Sequence, residues 1–200
     1  MNSKILLSLI AITLFSSSNP GLAVNSSKPK TTEKKPIVPQ IVQPKWRKFT
    51  APDGRFTVLM PGKHQQKTQI QKTHMGKIKL EIFLAQPPQQ EAAYIVTYNE
   101  FPDSYAQMNS PQKIMDEAQY MELKTTQSRL LNQRNIRSSN FHPGREIEYV
   151  NAIGKVTKTR MFVAHDRLYK VMGIVSKKQH ESLEKTVIGF LNSFQLVVKP

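Results

Sequence analysis

The residues of this 200-residue chain best suited to metal or proton chemistry are its five histidines, His64, His74, His142, His165 and His180. A transition-metal site needs ligands at fixed spacing, such as two histidines one helical turn apart. These five fall in separate predicted loops and helix ends, which points to exposed side chains and no metal site. Asp103, Asp116 and Glu117 lack the pattern of a calcium loop. The chain has no cysteine, which excludes disulfides, thiolate ligands and thiol nucleophiles. No serine stands in a Gly-x-Ser-x-Gly turn or another activated context. The 8 glycines are too scattered to cradle a phosphate. Glu146 and Glu148 lie two apart on a predicted strand, within range for acid and base work. Their alternation with Ile147 and Tyr149 fits a solvated strand face better. The expectation is a protein that is not an enzyme and carries no cofactor.

What remains is charge. The formal net charge is +15 and the sequence pI about 10.0. Such a field favours acidic partners, among them anionic membrane or envelope surfaces and acidic protein complexes. Basic pairs occur at Lys77 and Lys79, at Lys158 and Arg160, and at Lys177 and Lys178. On neighbouring strands they would form one positive stripe facing an acidic partner. The plainer reading is lysines that keep the protein soluble.

The elements that must position these side chains are mostly strands. Trp46 to Thr50 and Phe56 to Met60 form a predicted hairpin, closed by Asp53-Gly54, where glycine takes a positive φ without steric cost. Lys67 to Lys72 reads as a polar edge strand that turns at His74-Met75-Gly76. Ile78, Leu80, Ile82 and Leu84 alternate with Lys77, Lys79, Glu81 and Phe83, a period of two. Ala92 to Tyr98 repeats the pattern, with Tyr94, Val96 and Tyr98 on one side. Ser110 caps a predicted helix with Pro111 in its first turn. Its stripe is Ile114, Ala118 and Met121, and it is expected to run to about Leu131.

Strands are then expected over Asn135 to Asn140, Arg145 to Val150 and Val156 to Ala164. His165-Asp166-Arg167 turns into Leu168 to Val175, whose apolar run suits a central strand. Ser176 and Gln179 form an expected capping box. The helix that follows has the stripe Leu183, Val187, Phe190, Leu191 and Phe194, ahead of a short strand from Gln195 to Val198. Phe49, Phe56, Tyr94, Tyr98 and Phe162 are expected in the core. Hairpin connections throughout imply an α+β fold, an antiparallel β-sheet flanked by helices.

The N-terminus reads as an export signal. Lys4 supplies a positive start, Ile5 to Phe15 an apolar core, and Gly21-Leu22-Ala23 the small residues before a cut. The apolar core is shorter than the ~20 residues a membrane-spanning helix needs. Retention of the segment as an uncleaved anchor is the competing reading. Residues 24–45 are rich in lysine and proline and read as a disordered tether. Residues 46–200 make one domain of ordinary size. Export makes nucleic acid the least suitable of the acidic partners, and no later segment is long enough to span a membrane.

Phe56-Thr57-Val58-Leu59-Met60-Pro61-Gly62-Lys63 resembles the opening strand and turn of the PsbP-like family of small exported proteins known from cyanobacteria. The resemblance continues in Pro143-Gly144-Arg145-Glu146, in Arg160-Met161-Phe162-Val163 through Arg167-Leu168-Tyr169, and in Phe190-Leu191-Asn192-Ser193-Phe194. It spans roughly Trp46 to Val198, with His64 standing where a proline is expected. It implies an α-β-α sandwich on an antiparallel sheet. PsbP proteins are extrinsic, non-enzymatic subunits on the lumenal side of photosystem II that support its calcium and chloride requirement. No motif of this chain maps onto an ion or photosystem contact, so no functional residue is carried over.

The resulting expectation is an exported accessory or binding protein of the periplasm or thylakoid lumen, docked on a membrane protein complex such as a photosystem. A small-ligand or metal-ion carrier, using a pocket between sheet and helix, is the alternative. A low-activity hydrolase ranks third.

Overall fold

Alternating apolar and polar residues fold most of the described chain into antiparallel strands. The computed structural model describes residues 44–73, 76–88 and 90–197. The export signal, residues 24–43 of the tether, and His74 lie outside the described residues. β1 (Trp46–Thr50) and β2 (Phe56–Pro61) form the expected hairpin, with Phe49 opposite Val58 and Gly54 turning it at φ 72°. β3 (Gln65–Thr73), β4 (Gly76–Ala85) and β5 (Ala92–Glu100) follow as a meander. Two helices come next, α1 (Asp103–Met108) and α2 (Pro111–Thr125). β6 (Ser128–Arg137), β7 (Pro143–Asn151), β8 (Lys155–Ala164) and β9 (Arg167–Ser176) precede α3 (His180–Asn192) and the short β10 (Gln195–Leu196).

The described strands make two sheets instead of one. Seven run in the order β3-β4-β5-β9-β8-β7-β6, and a smaller sheet runs β1-β2-β10. β3 is an edge strand, as its polarity indicated, and β9 lies inside the sheet between β5 and β8. Helices and the small sheet cover the two faces, giving a sheet-dominated α+β architecture.

On one face, Phe83, Tyr94, Val96, Phe162, Tyr169 and Val171 pack under Val187, Phe190 and Leu191 of α3 and under Phe56, Val58 and Met60 of β2. Phe56 is fully buried at the centre of this layer. Its ring lies 5.3 Å from Phe194, 5.7 Å from Phe83 and 6.2 Å from Tyr169. Each such pair adds about 0.5–1.5 kcal/mol beyond the burial itself. On the other face, Ile147, Met161, Val163 and Leu168 pack under Tyr105 of α1 and Ile114, Met115 and Ala118 of α2.

Three local expectations are corrected. α2 stops at Thr125, not near Leu131, because Gln127 adopts a left-handed φ of 49° that a helix cannot continue through. Leu130 and Leu131 therefore belong to β6, which bulges between Leu130 and Asn132. The expected strand at Asn135 is the far half of this ten-residue strand, which ends at Arg137 and not Asn140. Ser176 and Gln179 do not form a capping box: Ser176 ends β9, and the Gln179 side chain accepts the Glu91 N–H at 2.8 Å. Ser110 does cap α2, its hydroxyl accepting the Lys113 N–H at 3.2 Å.

Candidate functional site

Carboxylates inside the folded region are spent on neighbouring cations. Glu146 accepts from Arg160 at 2.7 Å and from Arg134 at 2.9 Å across the β6-β7-β8 ladder. Glu148 pairs with Lys158 at 3.3 Å and approaches His180 at 3.2 Å. Both glutamates are half-buried beside cations, so the expected solvated strand face is an internal charge ladder. Burial by itself would raise the Glu146 pKa, but Arg160 and Arg134 outweigh it and hold that carboxyl below its ordinary 4.5. Asp116 holds Arg145 at 2.6 Å, and Glu117 accepts the Tyr105 hydroxyl at 2.8 Å, so neither carboxylate is set aside for calcium.

Two further clusters follow the same rule. Arg167 bridges Asp53 and Glu100, with its guanidinium 4.5 Å from the Tyr98 ring. Glu122 of α2 is 4% exposed. It accepts the Tyr149 hydroxyl at 2.5 Å, Thr159 Oγ1 at 3.1 Å and Lys170 Nζ at 2.7 Å. Three polar groups around one carboxylate fix where α2 sits on the sheet. Three donors take up most of the roughly four acceptor positions of the carboxylate, which suits a structural role for Glu122.

The six cations singled out by sequence do not form one stripe. β4 and β8 are separated by β5 and β9, about 14 Å at the usual strand spacing. Lys79 is tied to Glu81 at 2.7 Å, Lys158 to Glu148, and Arg160 to Glu146. Lys77 is exposed at the start of β4, at the opposite end of the sheet from Lys177 and Lys178. Lys177 and Lys178 are exposed on the turn from β9 into α3. The Lys177 N–H donates to the Gly154 carbonyl at 2.8 Å, which holds this turn against the β7–β8 turn. Ile153 projects there at 79% exposure. Two lysines and one bare isoleucine thus share a corner of the molecule.

A pocket between sheet and helix is nearly closed: the space under α3, beside Val156, Gly173 and Val187, is about 10 Å³, room for a single water at most. A larger cavity of about 260 Å³ opens at one end of the sheet, among Arg55, His142, His165, Asp166, Tyr169 and Leu196. The His142 and His165 rings are 5.6 Å apart, and Arg55 pairs with Asp166 at 3.6 Å. Burial and the neighbouring His165 push the His142 pKa below its ordinary 6.5. Phe141 and His165 adopt positive φ of 63° and 54°, a conformation costly for non-glycine residues. Sequence reasoning dismissed both histidines as loop residues. They are 23 positions apart, and only the β7–β8–β9 register brings them together.

Among the described residues, no group of three or more histidines, aspartates or glutamates is placed to hold a metal ion. No described helix is long and apolar enough to cross a membrane.

No protein family model and no curated protein matches the chain. Its fold resembles the solution structure of cyanobacterial PsbP (CyanoP) from Synechocystis, with a TM-score of 0.55 and 9% sequence identity. That match covers 82% of this chain and 98% of the other. A Pseudomonas aeruginosa protein of unknown function aligns with a TM-score of 0.44 and 14% identity, over 78% of this chain and 98% of its own. At this identity the likeness to CyanoP is one of fold.

Proposed function

We propose that this protein is an exported, non-catalytic accessory or binding protein that docks on an acidic membrane protein complex or anionic envelope surface. The observation that carries the proposal is the separation of charges. Glu81, Glu122, Glu146 and Glu148 are each paired with a cation of the large sheet, and much of the surplus positive charge is left on exposed lysines and arginines. The corner of Lys177, Lys178 and Ile153 is the best docking point. An apolar anchor ringed by cations gives both a site for burial and a field that steers an acidic partner. The fold likeness to CyanoP makes a photosystem a candidate complex and the thylakoid lumen or periplasm the candidate compartment.

Reversing the charge at the corner tests the proposal. Lys177→Glu with Lys178→Glu leaves the fold intact, since both side chains are exposed, and is expected to weaken retention on anionic surfaces or native membranes several-fold. The same reversal at Lys113, exposed on α2 away from the corner, is expected to change retention far less. Equal loss from either change would replace the docking corner with a diffuse charge effect.

A second reading has its own observation. The cavity beside Arg55, His142, His165 and Asp166, about 260 Å³, has room and polar groups for a small polar ligand. It lies at the end of the sheet and not between sheet and helix.

A further inference from the structure

The seven-stranded sheet ends on one side at β6, which pairs with β7 alone among the described strands. A strand in that position turns about half of its backbone N–H and C=O groups outward without a partner. Seven of the ten β6 residues are exposed, so this edge is open. Its charge is of one sign: Arg129, Arg134 and Arg137 stand on β6 with no acidic residue among them. Strands β6, β7 and β8 together carry seven arginines and lysines against two carboxylates. Those two, Glu146 and Glu148, are already paired. The opposite edge differs in kind. β3 carries Lys67 and Lys72, and its Gln66 and Thr68 side chains donate to Glu81 of β4. Lysine is the usual guard of an edge strand. The planar guanidinium of arginine grips a carboxylate through two parallel hydrogen bonds.

We propose that the β6 edge takes up an extended acidic segment of a partner protein as an added strand. This rests on the reading of an acidic partner and specifies how part of that partner is held. The bulge at Leu131 interrupts the ladder, so the regular stretch runs from Asn132 to Arg137. That is about 20 Å of strand. Arg134 lies opposite Glu146 and Arg137 opposite Pro143, three positions apart and so on opposite faces of the sheet. Carboxylates on either face of the added strand therefore meet a guanidinium. Apolar side chains stand at both ends of the stretch. Leu131 is 45% exposed at the bulge, and Phe141 is 78% exposed on the turn into β7. Arg137 Nη1 donates to the Phe141 carbonyl at 3.2 Å, which ties that turn to the strand. The start of β6 leads toward the docking corner, since Ser128 pairs with Asn151, two residues before Ile153. A second copy of this chain is a poor occupant, because β6 against β6 would set three arginines against three.

The probe is a capped ten-residue peptide of alternating glutamate and valine, with amide exchange of the protein read by NMR. No membrane is involved, so strand addition can fail while retention on membranes stands, and the reverse. The outward amides between Asn132 and Arg137 are expected to exchange several-fold more slowly with the peptide present, while those of β3 stay unchanged. Arg129→Gln with Arg137→Gln, both exposed, is expected to weaken binding several-fold. The same peptide N-methylated at every residue keeps its charge and loses its N–H groups, and is expected to give no protection. Equal binding of the two peptides would overturn the proposal by reducing the edge to a charge effect. So would the absence of protection at millimolar peptide. Protection of the same amides without peptide, rising with protein concentration, would also overturn it and put a second copy on the edge.

Discussion

The fold resists protonation of His142. Burial and His165 hold its pKa below 6.5, so as the pH falls an unfolded chain takes up this proton before the folded one does. His142 therefore contributes stability that is full above about pH 6.5 and is lost as the pH falls through its folded value. The carboxylates act in a lower window. Burial raises the pKa of Asp53, Glu81 and Glu146, but the ion pairs and hydrogen bonds of Arg167, Lys79 and Arg160 prevail and hold them below 3.8 or 4.5. Their share is present above the ordinary carboxylate range and disappears only in stronger acid. The thermal midpoint is expected to fall on acidification from about pH 6.5, and His142→Gln to flatten that fall. Melting curves of the two proteins declining in parallel would remove His142 from this role. None of this was legible in the sequence. His142 and His165 meet only through strand register, and Glu146 and Glu148 looked solvated because alternation does not say which cations stand opposite.

At the scale of elements, strands with clean alternation were legible and their ends were not. Ile78 to Leu84 and Ala92 to Tyr98 were placed correctly because their apolar residues recur with a period of two, although Phe83 of the one and Ala93 and Ile95 of the other make the opposite faces apolar as well. The turn at Gln127 was missed because nothing in Thr125-Thr126-Gln127 marks a left-handed residue, and α1 because six residues are too few to show a period. The join of β7 to β8 depends on a small residue. A Cβ added at Gly144 would meet the Met161 carbonyl oxygen at 2.7 Å and Phe162 Cδ1 at 2.5 Å. Gly144→Ala is therefore expected to cost about 1–3 kcal/mol. That corresponds to a drop in midpoint of about 2–4 °C per kcal/mol. Gly189→Ala is the contrast. It lies on α3 with nothing within 4 Å of the added carbon, and its melt is expected to be unchanged or slightly higher.

The whole molecule combines a neutralised interior with a positive exterior. Composition announced the charge but could not say where it would fall. Of the six cations read from the sequence, three are held in ion pairs, and Lys177 and Lys178 join Ile153 on one corner. An attachment of this kind weakens with salt, because contacts between exposed charges are screened within about 10 Å at 0.1 M ionic strength. The most direct test is fractionation of native cells, with membranes washed at rising salt and the proteins that accompany this one identified. Release from membranes at moderate salt, with one acidic complex enriched beside it, is the predicted result. A protein already free in the low-salt soluble fraction, with nothing attached, would contradict the docking function and leave the cavity at Arg55, His142 and His165 as the site to pursue.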